Sequence, residues 1–202
     1  MMKARLIALV SAVCISSAVQ ARSFEETLAF CEDCHGEGGV SQESDVPTMA
    51  GFSDIAISDI LIAYRDGSRS AISSKFRGGD TSRSETNMNE ITKEMSDAEI
   101  EQLAEHYSSK TFVPSKQTFD PALAANGFKI HKVQCTKCHE DGGTSRDDDV
   151  GLLAGQWSPY LRTALTNFRN DKRETEPKML KLVKKLDDSE IESLLNYWAS
   201  QQ

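Results

Sequence analysis

The 202-residue chain carries 31 Asp and Glu against 23 Lys and Arg, a formal net charge of −8, and 39% of its residues are hydrophobic; such a balance makes no case for nucleic-acid binding and describes a soluble protein. Its length allows one large domain or two small ones, each small one near the size at which an apolar core alone is marginal. Beyond the N-terminus no apolar run approaches a membrane span.

The first segment reads as an export signal. Lys3 and Arg5 precede an apolar run from Leu6 to Val13 and a little beyond, and Val19-Gln20-Ala21 forms a small-residue cleavage site. Residues 1–21 are therefore expected to be a signal peptide, the mature chain starting near Arg22. Cys14 falls in the removed part, and Val13 before it is a poor fit to lipid attachment. Four cysteines remain, and they point to maturation outside the cytoplasm, in the periplasm.

Ser23-Phe24-Glu25-Glu26 has capping-box spacing and predicts a short helix running into Cys31-Glu32-Asp33-Cys34-His35. The pattern returns 104 residues later as Cys135-Thr136-Lys137-Cys138-His139. A Cys-x-x-Cys pair can be a redox disulfide, but that chemistry goes with a βαβ pattern, and no strand-like alternation precedes either motif. Structural zinc usually takes four Cys or His ligands; each motif offers three, and His106 and His131 have no Cys partners of their own. Covalent haem c fits better. Residues three apart on a helix share a face, so both thiols reach the two vinyl groups of one haem while the next residue turns its imidazole to the iron. The expected cofactors are two haem c groups, attached through Cys31 and Cys34 and through Cys135 and Cys138, with His35 and His139 as axial ligands.

Past the first motif, Gly36, Gly38 and Gly39 lead to Pro47-Thr48-Met49-Ala50-Gly51; past the second, Gly142-Gly143 lead to Gly151-Leu152-Leu153-Ala154-Gly155. Glycine lets such loops approach the edge of a flat cofactor. The first run resembles the loop of class I cytochromes c in which a proline carbonyl fixes the axial imidazole, which implies that role for Pro47 and puts Gly151 in its place in the second half. Ile57, Leu61 and Tyr64 are answered at the same offset by Leu161, Leu165 and Phe168, apolar stripes of two helices with Asp54 and Ser158 as expected N-caps. Another helix begins at Asp120-Pro121 and places Phe128 at the 104-residue offset from Phe24, both read as structural, ordinary core residues.

The register then changes. Ser96-Asp97-Ala98-Glu99 and Asp187-Asp188-Ser189-Glu190 are capping boxes only 91 residues apart, so the first half holds 13 extra residues, between about Gly67 and Asn87. That Gly- and Ser-rich, basic stretch, with Arg69, Lys75, Arg77 and Arg83, reads as a solvated surface loop, the alternative being that its arginines meet haem propionates or a partner. A low-spin electron-transfer haem needs a second axial ligand, commonly a Met sulfur. Shifted by 91, Met88 falls on Met179, whereas Met49 and Met95 fall on Leu153 and Leu186. Met88 and Met179 are the expected partners of His35 and His139, with Met49 and Met95 as packing. The repeat predicts an all-α protein of two tandem domains, residues 22–113 and 114–202, and the resemblance to class I cytochromes c implies that fold for each. The first carries 8 Lys and Arg against 18 Asp and Glu, the second 13 against 13, a difference that can steer the halves to different surfaces.

A closer resemblance begins at Val113-Pro114-Ser115-Lys116-Gln117-Thr118-Phe119-Asp120-Pro121 and continues through the second haem motif, Leu153-Ala154-Gly155-Gln156-Trp157-Ser158-Pro159-Tyr160-Leu161 and the terminal Tyr197-Trp198-Ala199-Ser200-Gln201-Gln202. It covers most of the second half, and the first mainly through its haem motif and plan. These residues resemble the dihaem cytochrome c subunit of flavocytochrome c sulfide dehydrogenase. The resemblance implies a periplasmic heterodimer in which a flavoprotein subunit carries FAD and oxidises sulfide. This chain would then pass electrons from the flavin to an external acceptor such as a soluble cytochrome c, two one-electron haems matching a two-electron flavin. No general base or nucleophile constellation accompanies them, His106 and His131 being isolated and expected on helix surfaces. The same residues also suit a free-standing dihaem cytochrome c carrying electrons to a terminal oxidase. A haem peroxidase would need an open iron position, and the paired Met88 and Met179 argue against it.

Overall fold

A computed structural model describes residues 22–202, and the expected signal peptide lies outside the described residues. These residues are helical, with a 3-10 turn at Glu37–Gly39, two isolated β-bridges and no sheet. Helices α1 (Phe24–His35), α4 (Asp97–Ser108) and α8 (Asp188–Ala199) each open on a complete capping box, made by Ser23 with Glu26, Ser96 with Glu99 and Asp187 with Glu190. Helix α5 (Pro121–Gln134) starts behind Asp120, whose carboxylate accepts from the amides of Ala122 and Leu123. Two starts lie one residue earlier than expected. Ser53, not Asp54, caps α2 (Asp54–Arg65), its hydroxyl accepting from the Ala56 amide, and Trp157 precedes α6 (Ser158–Arg169) without a side-chain cap. Ser158 is unavailable as a cap because its hydroxyl turns to the Leu195 carbonyl at 3.4 Å; Pro159 in the first turn supplies a preset φ instead.

The apolar stripes pack as two cores. In the first, Ile57 and Leu61 of α2 meet Ile100, Leu103 and Tyr107 of α4; in the second, Leu161, Leu165 and Phe168 of α6 meet Ile191, Leu194 and Trp198 of α8. Arg65 ties α2 to Asp97 at 2.7 Å, and its repeat equivalent Arg169 ties α6 to Asp188 at 2.6 Å. Helices α5 and α8 cross where Gly127 stands, and a Cβ there would run into the Ser193 carbonyl. Phe24 is half-buried, but Phe128 is not core. It lies 48% exposed on the outer face of α5, touching Tyr197 with ring centroids 5.6 Å apart. Two short helices, α3 (Met88–Thr92) and α7 (Pro177–Val183), carry Met88 and Met179.

The loops past the two motifs are clasped alike. The amides of Met49 and Ala50 donate to the Gly39 carbonyl at 2.8 and 3.2 Å, those of Leu153 and Ala154 to Gly143 at 3.0 and 3.1 Å. Both glycines have positive φ, +77° and +90°, and a Cβ on Gly39 would sit 2.8 Å from the Tyr107 ring, so the repeated glycine is a backbone requirement.

The halves meet about an approximate two-fold axis. Arg69 forms an antiparallel bridge with Arg173, its own counterpart at the 104-residue offset, flanked by Ser70 N to Lys172 O and Glu174 N to Ser68 O, each 2.9 Å. Thr48 donates its amide to Gln156 Oε1 at 3.0 Å and accepts from Gln156 Nε2 at 2.9 Å, both residues fully buried. At the symmetry-related place Leu152 joins Phe52 in the first core.

The 104-residue register therefore holds to Ser70 and Glu174, and the extra residues lie beyond it: seventeen separate Ser70 from Met88, four separate Glu174 from Met179. They form a surface loop, exposed at Ile72, Ser73, Lys75 and residues 79–82, that is anchored on α1. Phe76 is 7% exposed and packs on Phe30 at 5.4 Å, and the Asp33 carbonyl accepts from the amides of Arg77 and Gly78 at 2.8 and 2.7 Å. Arg83 pairs with the Asp33 carboxylate while covering the Phe76 ring at 3.6 Å. An aromatic anchor and an ion pair order a segment whose composition reads as flexible.

Candidate haem sites

Around the first motif lies a cavity of about 1230 Å³, its open mouth included, lined by Cys31, Cys34, His35, Met88 and the apolar Ile57, Leu61 and Leu103. The motif occupies the last two turns of α1. Buried His35 donates from Nδ1 to the Pro47 carbonyl at 2.9 Å. A carbonyl only accepts, so the proton sits on Nδ1 and Nε2 keeps its lone pair for a metal. Burial lowers the His35 pKa, with the Pro47 bond opposing. The thiol of Cys31 is pushed up to about 12 by burial and then by Glu32, and burial also raises that of Cys34. A redox-active Cys-x-x-Cys needs the opposite shift. None of Cys31, Cys34, Cys135 and Cys138 is paired with another cysteine, and among the described residues no three His, Cys, Asp or Glu side chains converge as a metal cluster would require.

Met49 and Met95 line this cavity as well as Met88. The structure thus brings three sulfurs to one space, and the choice of Met88 among them rests on the repeat.

The second motif is set differently. Helix α5 ends at Gln134 with Cys135 as its C-cap, and the motif continues in turns, the amides of Cys138 and His139 both donating to the Cys135 carbonyl at 3.1 and 3.0 Å. Cys135 and Met179 both pack at the edge of the second core. His139 is buried, and its pKa is pushed down to about 4 by burial and then by His131; burial, helped by Cys138, pushes Cys135 up to about 11. Among the described residues the Pro47 hydrogen bond has no counterpart at Gly151. His131 supports this motif instead. It was expected on a helix surface, yet it is 1% exposed, accepting at Nδ1 from Trp198 Nε1 at 3.1 Å and donating from Nε2 to the His139 carbonyl at 3.1 Å. Both ring nitrogens are satisfied, which is what lets an imidazole stay inside. His106 is half-buried, edge-on to Phe24 at 5.8 Å.

Residues that the motifs do not announce complete the first cavity where it reaches the junction of the halves. Arg69 and Arg173 both line it, Arg69 only 4% exposed. Among the described residues neither has a carboxylate partner. Arg69 Nη2 donates to the Tyr160 hydroxyl at 3.0 Å, while buried Nη1 has no acceptor. Each guanidinium lies over an aromatic ring of its own half, Arg69 over Tyr64 at 4.5 Å and Arg173 over Phe168 at 4.2 Å. Burial and the facing Arg69 push the Arg173 pKa down to about 10. A buried cation facing a half-buried one, neither with an anion, is costly, and a cofactor bearing carboxylates would satisfy both. The residues present therefore fit a haem: thiols at one edge, an oriented imidazole, an apolar lining and guanidinium groups for its carboxylates. The signal was in the sequence, as the recurrence of Arg at 69 and 173.

No family model matches the chain. It is 24% identical over 186 residues to the "thiosulfate dehydrogenase electron acceptor" of Thiomonas intermedia (strain K12), covering 86% of this chain and 79% of that protein. The crystal structure of reduced recombinant cytochrome c4 from Pseudomonas stutzeri superposes with a TM-score of 0.69 at 26% identity, over 90% of this chain and all of that one. Thiosulfate dehydrogenase from Marichromatium purpuratum matches with a TM-score of 0.69 at 21% identity, and there the alignment covers 89% of this chain but 40% of that one. With its paired attachment motifs on the two-domain class I fold, the chain is an electron-transferring dihaem cytochrome c.

Proposed function

We propose that this chain is a periplasmic electron carrier that accepts electrons from a sulfur-compound dehydrogenase and hands them to an external acceptor such as a soluble cytochrome c. The observation that carries the reading is the likeness, over most of both chains, to a protein named as the electron acceptor of thiosulfate dehydrogenase. Cys31 and Cys34, and Cys135 and Cys138, would hold one haem c each, in units of residues 22–113 and 114–202. His35 with Met88 and His139 with Met179 would ligate the two irons, and Arg69 and Arg173 would receive carboxylates at the junction. Bound haem supplies a one-electron couple, whose potential a Met ligand raises. The chain's part is to orient His35 through Pro47, to keep water from the site with Ile57, Leu61 and Leu103, and to fix the two sites relative to each other through the Arg69–Arg173 bridge.

A second reading makes the donor an FAD-containing sulfide dehydrogenase bound as a heterodimer. The linker and the Leu153-Ala154-Gly155-Gln156-Trp157 run support it. Stopped-flow reduction of the oxidised holoprotein separates the two. Thiosulfate with thiosulfate dehydrogenase is expected to reduce it fast, and sulfide with the flavoprotein slowly; the reverse order favours the heterodimer. Reduction no faster with either dehydrogenase than without it would sink both.

A further inference from the structure

Tyr107 of α4 is 1% exposed and lines the cavity around Cys31, Cys34 and His35. Its ring sits against Gly39, where a Cβ would come within 2.8 Å of it. The hydroxyl is buried, and among the described residues it has no hydrogen-bond partner. Leaving such a group unpaired is costly, so an orphan of this kind calls for a reason. The repeat shows how the second half treats the same position. Trp198 stands 91 residues on, and its ring nitrogen donates to buried His131 at 3.1 Å. In the first half Thr27 stands where His131 does, and its hydroxyl donates to the Ser23 carbonyl at 3.0 Å. The second half thus turns its donor to the protein, whereas the first leaves it beside Cys31. Burial raises the Tyr107 pKa, and the neighbouring Cys31 raises it further.

We propose that the Tyr107 hydroxyl donates a hydrogen bond to the sulfur of Cys31 once haem is attached there, and that this bond raises the potential of the first haem alone. Addition of the thiol across a haem vinyl group carries the S–H hydrogen to carbon and leaves a thioether sulfur, which can only accept. A hydrogen bond donated at the edge of the cofactor draws electron density from it and favours the ferrous state. Because Trp198 donates to His131 instead, the second haem lacks this bond, and two sites with matching Cys, His and Met residues become inequivalent. The proposal rests on the reading of Cys31 and Cys34 as a haem c attachment and adds the residue that tunes it.

The test is a redox titration of the holoprotein, two haems per chain verified by its spectrum, with each haem followed by its own methyl lines in proton NMR. The first haem is the one whose methyls show nuclear Overhauser contacts to Leu61 and Leu103, which line its cavity. Tyr107→Phe keeps the ring and removes only the hydroxyl. It should make the first haem about two- to tenfold harder to reduce, leave the second unchanged, and not raise the urea midpoint. The proposal is overturned if neither haem moves, if both move together, or if the second moves alone. A raised urea midpoint with unmoved potentials also overturns it, because the hydroxyl then stays unpaired in the holoprotein. A wild-type protein whose haems show no reversible one-electron step contradicts the carrier reading itself, and the tuning role falls with it.

Discussion

Trp198 Nε1 can only donate, so its 3.1 Å contact makes Nδ1 of His131 the acceptor and Nε2 the nitrogen that carries hydrogen. Burial holds that imidazole below the ordinary value of 6.5. As pH falls through the ordinary value the unfolded chain binds a proton that the folded chain refuses, so the stability is present above it and is lost as pH falls through the folded value. Urea unfolding of the holoprotein should show a lower midpoint at about pH 5 than at about pH 7.5, and His131→Phe should flatten the difference; a slope that survives the substitution belongs to other groups. For the axial sulfurs, Met88→Ala and Met179→Ala should each remove about half of the long-wavelength sulfur-to-iron absorption and lower one potential. A full band after Met88→Ala would hand the role to Met49 or Met95, which line the same cavity. Only the repeat singles out these two sulfurs, by comparing them position by position. The burial of His131 was not legible, because the donor that makes it tolerable sits on another helix, 67 residues away.

Helix starts are local chemistry, and most could be read directly. Capping boxes at Ser96 and Asp187 satisfy first-turn amides that would otherwise lack partners. Ser96→Ala or Asp187→Ala should therefore each cost about 1 kcal/mol in denaturant unfolding. Gly127→Ala places a methyl against the Ser193 carbonyl where α5 crosses α8, and overpacking of that kind costs about 1–3 kcal/mol. The loop between Ser70 and Met88 escaped this kind of reading. It has no helical periodicity, and its order comes from Phe76 on Phe30 and from Asp33, contacts that exist only after α1 has folded. The start of α6 was missed for a similar reason, since the hydroxyl that looked like a cap is engaged by α8.

At the scale of the whole molecule, the duplication and the charge difference between halves were visible in the sequence, but the way the halves meet was not, because no local rule pairs Thr48 with Gln156. Gln156→Leu leaves the amide and carbonyl of buried Thr48 without partners, each worth about 1–3 kcal/mol. Thermal unfolding should then split from one transition into two as the halves uncouple; an unchanged single transition would show that the bridge at Arg69 and Arg173 suffices to hold them. A residue on the axis of an isologous homodimer meets its own copy, and Arg69 meets Arg173 in that way. The contact between the halves is thus of the isologous kind that two identical single domains make with each other. Its two flanks are no longer equivalent, one being the polar pair Thr48 and Gln156 and the other the apolar pair Phe52 and Leu152.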